Sequence, residues 1–317
     1  MIRERIRFLV SLAVNPTSEW QLAVRYNTGK KLFEGNNAPF YLIRNTRKYW
    51  LADPFLFEYN HKHYVFCEMY NRRENKGVLG VALLKGLKCS KFKPILVLPY
   101  HLSYPCVFEH DGRIMMIPEC YQSGRITELI CKKFPYEWEE YKELAEVVAV
   151  DTTPLKSNAG ISYLTTVFLS SNERINDNLF QLQDGKLFRL FQNDLCKRSA
   201  GHLISLSDRI IRPSQDCQTT YGGGLIFNEV SINDGVLSET KLLEIFPPDI
   251  NSEDGLSIFL EKRKNHRYTG IHTYNTNEKY EIIDLKYNDR KSVGTFIHNF
   301  KRYLRDKHKQ RKRTVER

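Results

Sequence analysis

The chain has 317 residues, 41% of them hydrophobic and 12% aromatic, enough to bury a large core in one or two domains. It contains no run of about 18 apolar residues, which excludes a membrane-spanning helix, and its seven cysteines show no CxxC or zinc spacing. The formal net charge is +11, but residues 299–317 hold nine Lys/Arg against two acids, so the basicity belongs to a tail and not to the globular part.

Arg3, Arg5 and Arg7 before Phe8-Leu9-Val10 loosely imitate a secretory leader. The apolar stretch is short, and Asn15-Pro16 follows it without a small-residue cleavage site, so no leader is expected. An odd cysteine count then points to reduced thiols and a cytoplasmic location. Two strand-like segments follow, Trp20 to Tyr26 and Phe40 to Arg44.

From Asp53 a repeat dominates. Asp53 to Glu68 lies without gaps over Tyr104 to Glu119, each unit reading as a strand, a polar turn and a second strand that ends in Glu. Weaker copies begin at Asp151, Ala200 and Gly270 and continue through Tyr163–Phe168, Ile210–Asp216 and Tyr280–Leu285. Further strand-like runs, Gly77 to Leu84 and Leu179 to Phe191, follow the hairpins. Units of about fifty residues with four strands fit propeller blades, a β-sandwich with coincidental spacing being the competing reading. The fifth copy has only two strands of its own. The two N-terminal strands would complete it and leave no open sheet edge. The expected fold is all-β, a five-bladed β-propeller over residues 1–290 with a basic amphipathic helix over 291–317. The charged stretch Pro247 to His266 reads as an insertion between blades four and five.

In a propeller the first strand of each blade lines the axis and the second runs back beside it. The start of the first and the end of the second therefore open on the same face. Asp53, Tyr104, Asp151, His202 and His272 lie at or near the starts, and Glu68, Glu119, Arg212, Gln215 and Asp216 at or near the ends. Five blades would aim them into one funnel. Carboxylates gathered there raise one another's pKa, so that one serves as acid while another stays ionised. Each residue also has a bland reading. Asp53 before Pro54 caps a turn, Tyr104 packs, and Glu68 pairs with an Arg of a neighbouring blade. Arg212 either forks onto an anionic substrate group or locks blade four to the funnel carboxylates. Tyr221 to Gly224 is weak evidence for phosphate binding and better read as relief of crowding. No metal or cofactor is expected.

At these residues the chain resembles two groups. Ala52-Asp53-Pro54-Phe55 is similar to the start of blade one in the propellers of glycoside hydrolase families 32, 43, 62 and 68, where an Asp is base or nucleophile. The resemblance is incomplete, because Tyr104 stands where those families carry a blade-two Asp, and blade three offers Asp151 in place of a Glu acid. The segments Trp50–Phe55, Ser103–Gly112, Ile117–Glu119, Val150–Pro154, Arg212–Cys217 and Tyr221-Gly222 more closely resemble the N-terminal propeller domain of glucosamine inositolphosphorylceramide transferases and of bacterial proteins from surface-polysaccharide loci. That resemblance covers about Trp20 to Asp284. It identifies the domain more than an activity, because in the plant proteins a separate domain does the transfer. The funnel carboxylates and the hydrolase resemblance imply a sugar or sugar-nucleotide ligand, in glycosyl transfer or glycoside cleavage. Asp53 and Glu119 would be the catalytic pair, with Glu68, Tyr104, Asp151, His202, Arg212, Gln215, Asp216 and His272 lining the site. A non-catalytic glycan-binding module is the alternative, and specific nucleic-acid binding is not expected, since no recognition motif accompanies the basic tail.

Val293, Phe296, Ile297, Phe300 and Leu304 recur at three- and four-residue steps, the pattern of one helix face. Such a helix would dock on the propeller, or bring the basic residues of 299–317 to an anionic membrane surface, where each Lys or Arg contributes on the order of 1 kcal/mol.

Overall fold

The structure, a computed structural model, describes residues 18–157, 160–168, 178–190, 198–207, 209–233, 236–251, 258–259, 267–288 and 300. The repeats form the hairpins their alternation predicts. Tyr49–Tyr59 (β3) pairs with Lys62–Asn71 (β4), Ser103–His110 (β8) with Arg113–Glu119 (β9), and Ala149–Ser157 (β12) with Gly160–Val167 (β13), all antiparallel. Further strands extend each sheet outward, three in blade one and two each in blades two and three. Blade one adds Lys76–Lys85 (β5), flanked by two short strands, Lys88–Cys89 (β6) and Lys93–Leu96 (β7). Blade two adds Ile126–Lys133 (β10) and Glu137–Ala145 (β11), and blade three Asn178–Gln183 (β14) and Lys186–Arg189 (β15). Blade four runs Ile204–Leu206 (β16), Arg209–Asp216 (β17), Gly224–Asn233 (β18) and Val236–Ile245 (β19).

Blade five closes the ring as the sequence predicts. Tyr268–Thr276 (β21) and Tyr280–Asn288 (β22) are continued by Ser18–Tyr26 (β1) and Phe40–Leu42 (β2), so both ends of the propeller share one sheet. Ile258–Phe259 (β20) adds to β2 in parallel. This strand and a short helix, Pro247–Asn251, belong to the expected insertion; residues 252–257 and 260–266 lie outside the described residues. So does the basic C-terminal segment apart from Phe300, and with it the expected helix face.

The chain divides into two compact units. Residues 20–263 and 268–286 form the larger, which carries the blades. The smaller comprises 1–19, 264–267 and 287–317; among its described residues Ser18 Oγ donates to Asn288 Oδ1 (3.0 Å) and Tyr287 Oη to Glu19 Oε2 (2.9 Å).

Apolar side chains fill the seams between blades. Leu22, Val24, Val65 and Ile282 join blades five and one, and Phe55, Phe66, Tyr104 and Met116 join one and two. Phe108, Ile117, Tyr163 and Val167 continue between two and three, and Leu155, Leu164 and Val230 between three and four.

The repeat also sets a detail that positions the site. Asp53, Tyr104 and Asp151 all adopt left-handed backbone, with φ of 48°, 45° and 53°. Each lies where its inner strand slips register against the second strand, between Ala52 and Phe55, Ser103 and Cys106, Val150 and Thr153. These are bulges, and they turn one residue per blade toward the axis. A non-glycine residue in this conformation is strained and needs compensating contacts. Neighbouring blades supply them for the first two. Asp284 Oδ2 of blade five accepts the Asp53 N–H (3.0 Å), and Asp53 Oδ2 accepts the Tyr104 N–H (3.2 Å). Tyr104 reaches farther: its hydroxyl meets Thr153 Oγ1 of blade three at 2.8 Å and accepts the Gly201 N–H of blade four at 2.9 Å.

Tyr104 is fully buried, so it is an axial tie and not a sugar platform. Tyr104→Phe keeps the ring and deletes the hydroxyl, taking the acceptor from the buried Gly201 N–H and leaving Thr153 only the Asp151 carbonyl. The expected loss is about 1–3 kcal/mol, read as a lower midpoint in chemical denaturation; an unchanged midpoint would remove the tie.

Candidate functional site

Arg198 spans Asp151 and Glu119, and Asp53, Glu68 and Glu119 each carry a raised pKa to which other funnel carboxylates contribute. Asp53 is pushed up to about 6, first by burial, then by Asp284 and Asp151, against the opposing influence of His272 and the Thr273 hydroxyl. Thr273 Oγ1 donates to Asp53 Oδ1 at 3.0 Å. Glu119 is held well above the usual carboxylate range by burial and by Asp151, with which it shares a hydrogen bond; Arg198 opposes the shift. Glu119 is thus biased toward its protonated form while Asp53 is half ionised near pH 6, the kind of difference that acid–base chemistry uses.

His272 lies between two carboxylates. Its Nδ1 is 2.7 Å from Asp284 Oδ2 and its Nε2 is 3.6 Å from Asp53 Oδ1. Burial disfavours its charge, but Asp284 and Asp53 outweigh burial and raise its pKa. Trp20 stacks on the imidazole at 3.7 Å and 12°, so a strand from the chain start sets the ring's orientation. Asp53, His272 and Asp284 bring one ligand-capable atom each within 4.8 Å of one another, the distance at which three groups share a cation. Both Asp284 oxygens already accept hydrogen bonds, from the N–H groups of Asp53, His272 and Thr273, and Nδ1 of His272 closes on the same carboxylate. The cluster is thus satisfied by its own donors.

The buried cation of the funnel is Arg198. Its Nε donates to Asp151 Oδ2 at 2.6 Å, its Nη2 reaches Glu119 Oε2 at 3.5 Å, and Tyr221 lies over the guanidinium at 5.3 Å. Gln215 completes the Asp151 site, donating through Nε2 to Asp151 Oδ2 (3.2 Å) and to the Ser199 carbonyl (3.0 Å). Tyr221 is half-exposed at the rim, edge-on to Trp20 and to His272. Gly222 makes this possible: its φ is +62°, and a Cβ there would come within 2.5 Å of Trp20. Gly224, by contrast, relieves crowding inside β18, against Phe246.

Several expectations need correction. Arg212 is fully buried, and its guanidinium forks onto Glu239 of the outer strand β19 (Nη2 to Oε2, 3.1 Å). Arg212 and Gln215 stand three residues apart on one strand, so they face opposite sides of the sheet. Asp216 caps a turn, its Oδ1 accepting the Gln218 N–H at 3.0 Å. Among the described residues Glu68 pairs with His101, whose Nε2 is 3.4 Å from Oε1, and not with an arginine. His202 sits ahead of strand β16, edge-on to Phe55, and burial pushes its pKa down to about 4, so it is neutral. Arg198, Asp284, Thr273, Trp20 and His101 were not singled out by sequence reasoning. Asp284 ends the fifth repeat as Glu68 and Glu119 end the first two, a signal that was present; Arg198 precedes the fourth repeat and has no counterpart in the others.

The sequence profile of the family described as glucosamine inositolphosphorylceramide transferase 1, N-terminal, matches residues 43–246, well over half of the chain. The glucosamine inositolphosphorylceramide transferase 1 of Oryza sativa subsp. indica is 28% identical over 187 residues, covering 55% of this chain and 25% of that protein. Its namesake in Arabidopsis thaliana is 24% identical over 267 residues, covering 78% of this chain and 33% of that protein. The chain therefore spans a quarter to a third of the length of these relatives. Among solved structures, the catalytic domain of a family-62 α-L-arabinofuranosidase from Coprinopsis cinerea aligns with a TM-score of 0.48 and 11% identity over 75% of this chain and 90% of that one, a likeness too distant to bear on function.

Proposed function

The chain belongs to the family of the glucosamine inositolphosphorylceramide transferase 1 N-terminal domain, and from that premise we propose that its funnel is a sugar site in which Glu119 is the acid and Asp53 the ionised partner. One observation carries the reading. Arg198 spans Asp151 and Glu119, burial and Asp151 raise Glu119 well above the usual carboxylate range, and Asp53 is raised to about 6. A protonated carboxyl beside an ionised one is the equipment for cleaving a bond to an anomeric carbon. The Glu119 proton passes to the departing oxygen as its bond to that carbon breaks. Asp53 either takes the proton of the attacking hydroxyl or adds to the carbon itself. Arg198 and Gln215 fix Asp151, and the half-exposed ring of Tyr221 offers a face to the sugar. Glycosyl transfer from an activated donor, in glycolipid or polysaccharide assembly, is the reaction class we infer, since the named relatives are transferases.

A glycan-binding module without turnover is the second reading. It draws support from Asp53, both of whose oxygens already accept hydrogen bonds from neighbouring blades. A thermal-shift panel of sugar nucleotides and oligosaccharides tests the shared premise. A ligand present at a hundred times its Kd stabilises by about 2.7 kcal/mol, a clear rise in melting temperature. No stabilisation by any member would overturn the sugar reading. Stabilisation without turnover on the stabilising sugar and a panel of acceptors would favour the binding module.

A further inference from the structure

Beside the proposed catalytic pair, at the seam of blades one and two, lies a group that the acid–base reading does not use. Glu68 is 5% exposed, and its Oε1 is buried without a hydrogen-bond partner. Leaving a buried carboxyl oxygen unpaired is costly, so the arrangement asks for a donor from outside. The tautomer of the neighbouring His101 is set by its backbone contact. Its Nδ1 accepts the Gly77 N–H at 3.0 Å, so the ring hydrogen sits on Nε2, the atom 3.4 Å from Glu68 Oε1. Burial pushes His101 down to about 4, and it stays neutral. Gly77 is required for this: a Cβ there would meet the Leu102 carbonyl at 2.3 Å, Glu68 Oε1 at 2.6 Å and His101 Cε1 at 2.9 Å.

An aromatic surface adjoins the pair. Trp50 and Tyr70 stack at 4.3 Å and 7°, and the His101 ring lies 6.0 Å from Tyr70. Trp50 pairs with Tyr70 across β3 and β4, and Ala52 with Glu68 two residues on, so Tyr70 and Glu68 share one face of the sheet. The opposite wall is tied to the acid itself. His101 N–H donates to Gln122 Oε1 at 2.8 Å, and Gln122 lies in the turn that begins two residues after Glu119.

We propose that Glu68, His101 and the Trp50–Tyr70 stack form a second sugar subsite, which holds the acceptor ring next to Glu119. A sugar hydroxyl both donates and accepts. One such group can donate to Glu68 and accept from His101 Nε2–H, while a flat, C–H-rich face of the ring lies along the aromatic pair. Burial, Asp53 and Glu119 hold the Glu68 carboxyl well above the usual carboxylate range, which favours its uncharged form, and burial lowers His101 in the same sense. A neutral polyol suits them better than a phosphate. The proposal rests on the sugar reading above.

Calorimetric titration of the whole chain with glucose, galactose and N-acetylglucosamine, and with cellobiose, lactose and chitobiose, tests it. A disaccharide is expected to bind at least tenfold tighter than its monosaccharide. In His101→Phe and in Glu68→Gln that ratio should fall to within about twofold. His101→Phe also removes the acceptor of the buried Gly77 N–H, so thermal melting of both variants accompanies the titration. Monosaccharide binding without a disaccharide gain, or a gain that survives both substitutions, would overturn the subsite and leave the sugar reading standing. Binding of no sugar at all would overturn both.

Discussion

Replacing Glu281 by alanine is expected to destabilise the chain by about 3–5 kcal/mol, the cost of leaving a buried charge without its partner. Glu281 and Arg25 are each 1% exposed or less and pair at 2.7 Å across 256 residues of sequence. The same carboxylate accepts the Leu32 N–H at 2.6 Å, the Asn36 amide and the Tyr274 hydroxyl. Arg25 in turn holds the Asn36 and Ala38 carbonyls at 3.0 and 2.9 Å and lies over the Phe40 ring at 4.1 Å. One ion pair thus fastens the N-terminal strands to the last hairpin and organises the segment between them. Its loss would remove a large part of a typical domain's 5–15 kcal/mol. Glu281→Gln, which keeps the acceptor oxygen but not the charge, should fall between wild type and Glu281→Ala. Urea denaturation measures both, and a loss below about 1 kcal/mol for the alanine variant would show that closure does not depend on the pair.

The second large effect concerns catalysis. Once a turned-over sugar is in hand, Asp53→Asn and Glu119→Gln should each lower kcat/KM by about 10²–10⁴-fold with little change in melting temperature. The pH profile carries the sign. Asp53 must be ionised to act, so kcat/KM should rise with pH along an acid limb centred near 6, the value to which Asp53 is raised. Activity should then persist until Glu119, held well above its usual range, loses its proton. His272 lowers the Asp53 pKa, so His272→Phe should move the acid limb upward. The Asp53 shift acts on stability in the opposite sense. The folded value lies above the unfolded value of about 3.8, so this group's contribution is complete below that pH and is lost as pH rises through about 6. Full activity in either variant would remove that residue from the mechanism.

The ungapped match of Asp53–Glu68 with Tyr104–Glu119 was enough to determine two equivalent hairpins. The structure carries the equivalence into the backbone, with the same register slip and the same left-handed residue in each. The strand deficit of the fifth repeat likewise pointed to closure by the chain start, because an unpaired edge has open hydrogen-bonding groups. Asp53 and Glu119 were placed on one face by the simple rule that hairpin starts and ends meet.

Other assignments required the tertiary structure. Side chains alternate across a strand, but each bulge resets the alternation by one residue. Polarity on a strand therefore does not say which way a residue faces until every bulge is located. Asp53, Tyr104 and Asp151 show the consequence, each lying at a register slip of its inner strand. On unbulged β17, plain alternation sends Arg212 to Glu239 on the outer strand and Gln215 to Asp151 in the funnel. Partners of buried charges are set by which blades adjoin. Arg198 reaches Asp151 and Glu119 from 47 and 79 residues away, and no local pattern marks it as the funnel's cation. The repeat determines where strands turn; the closed ring decides which charges are neighbours, because electrostatic coupling depends on distance in space and not along the chain.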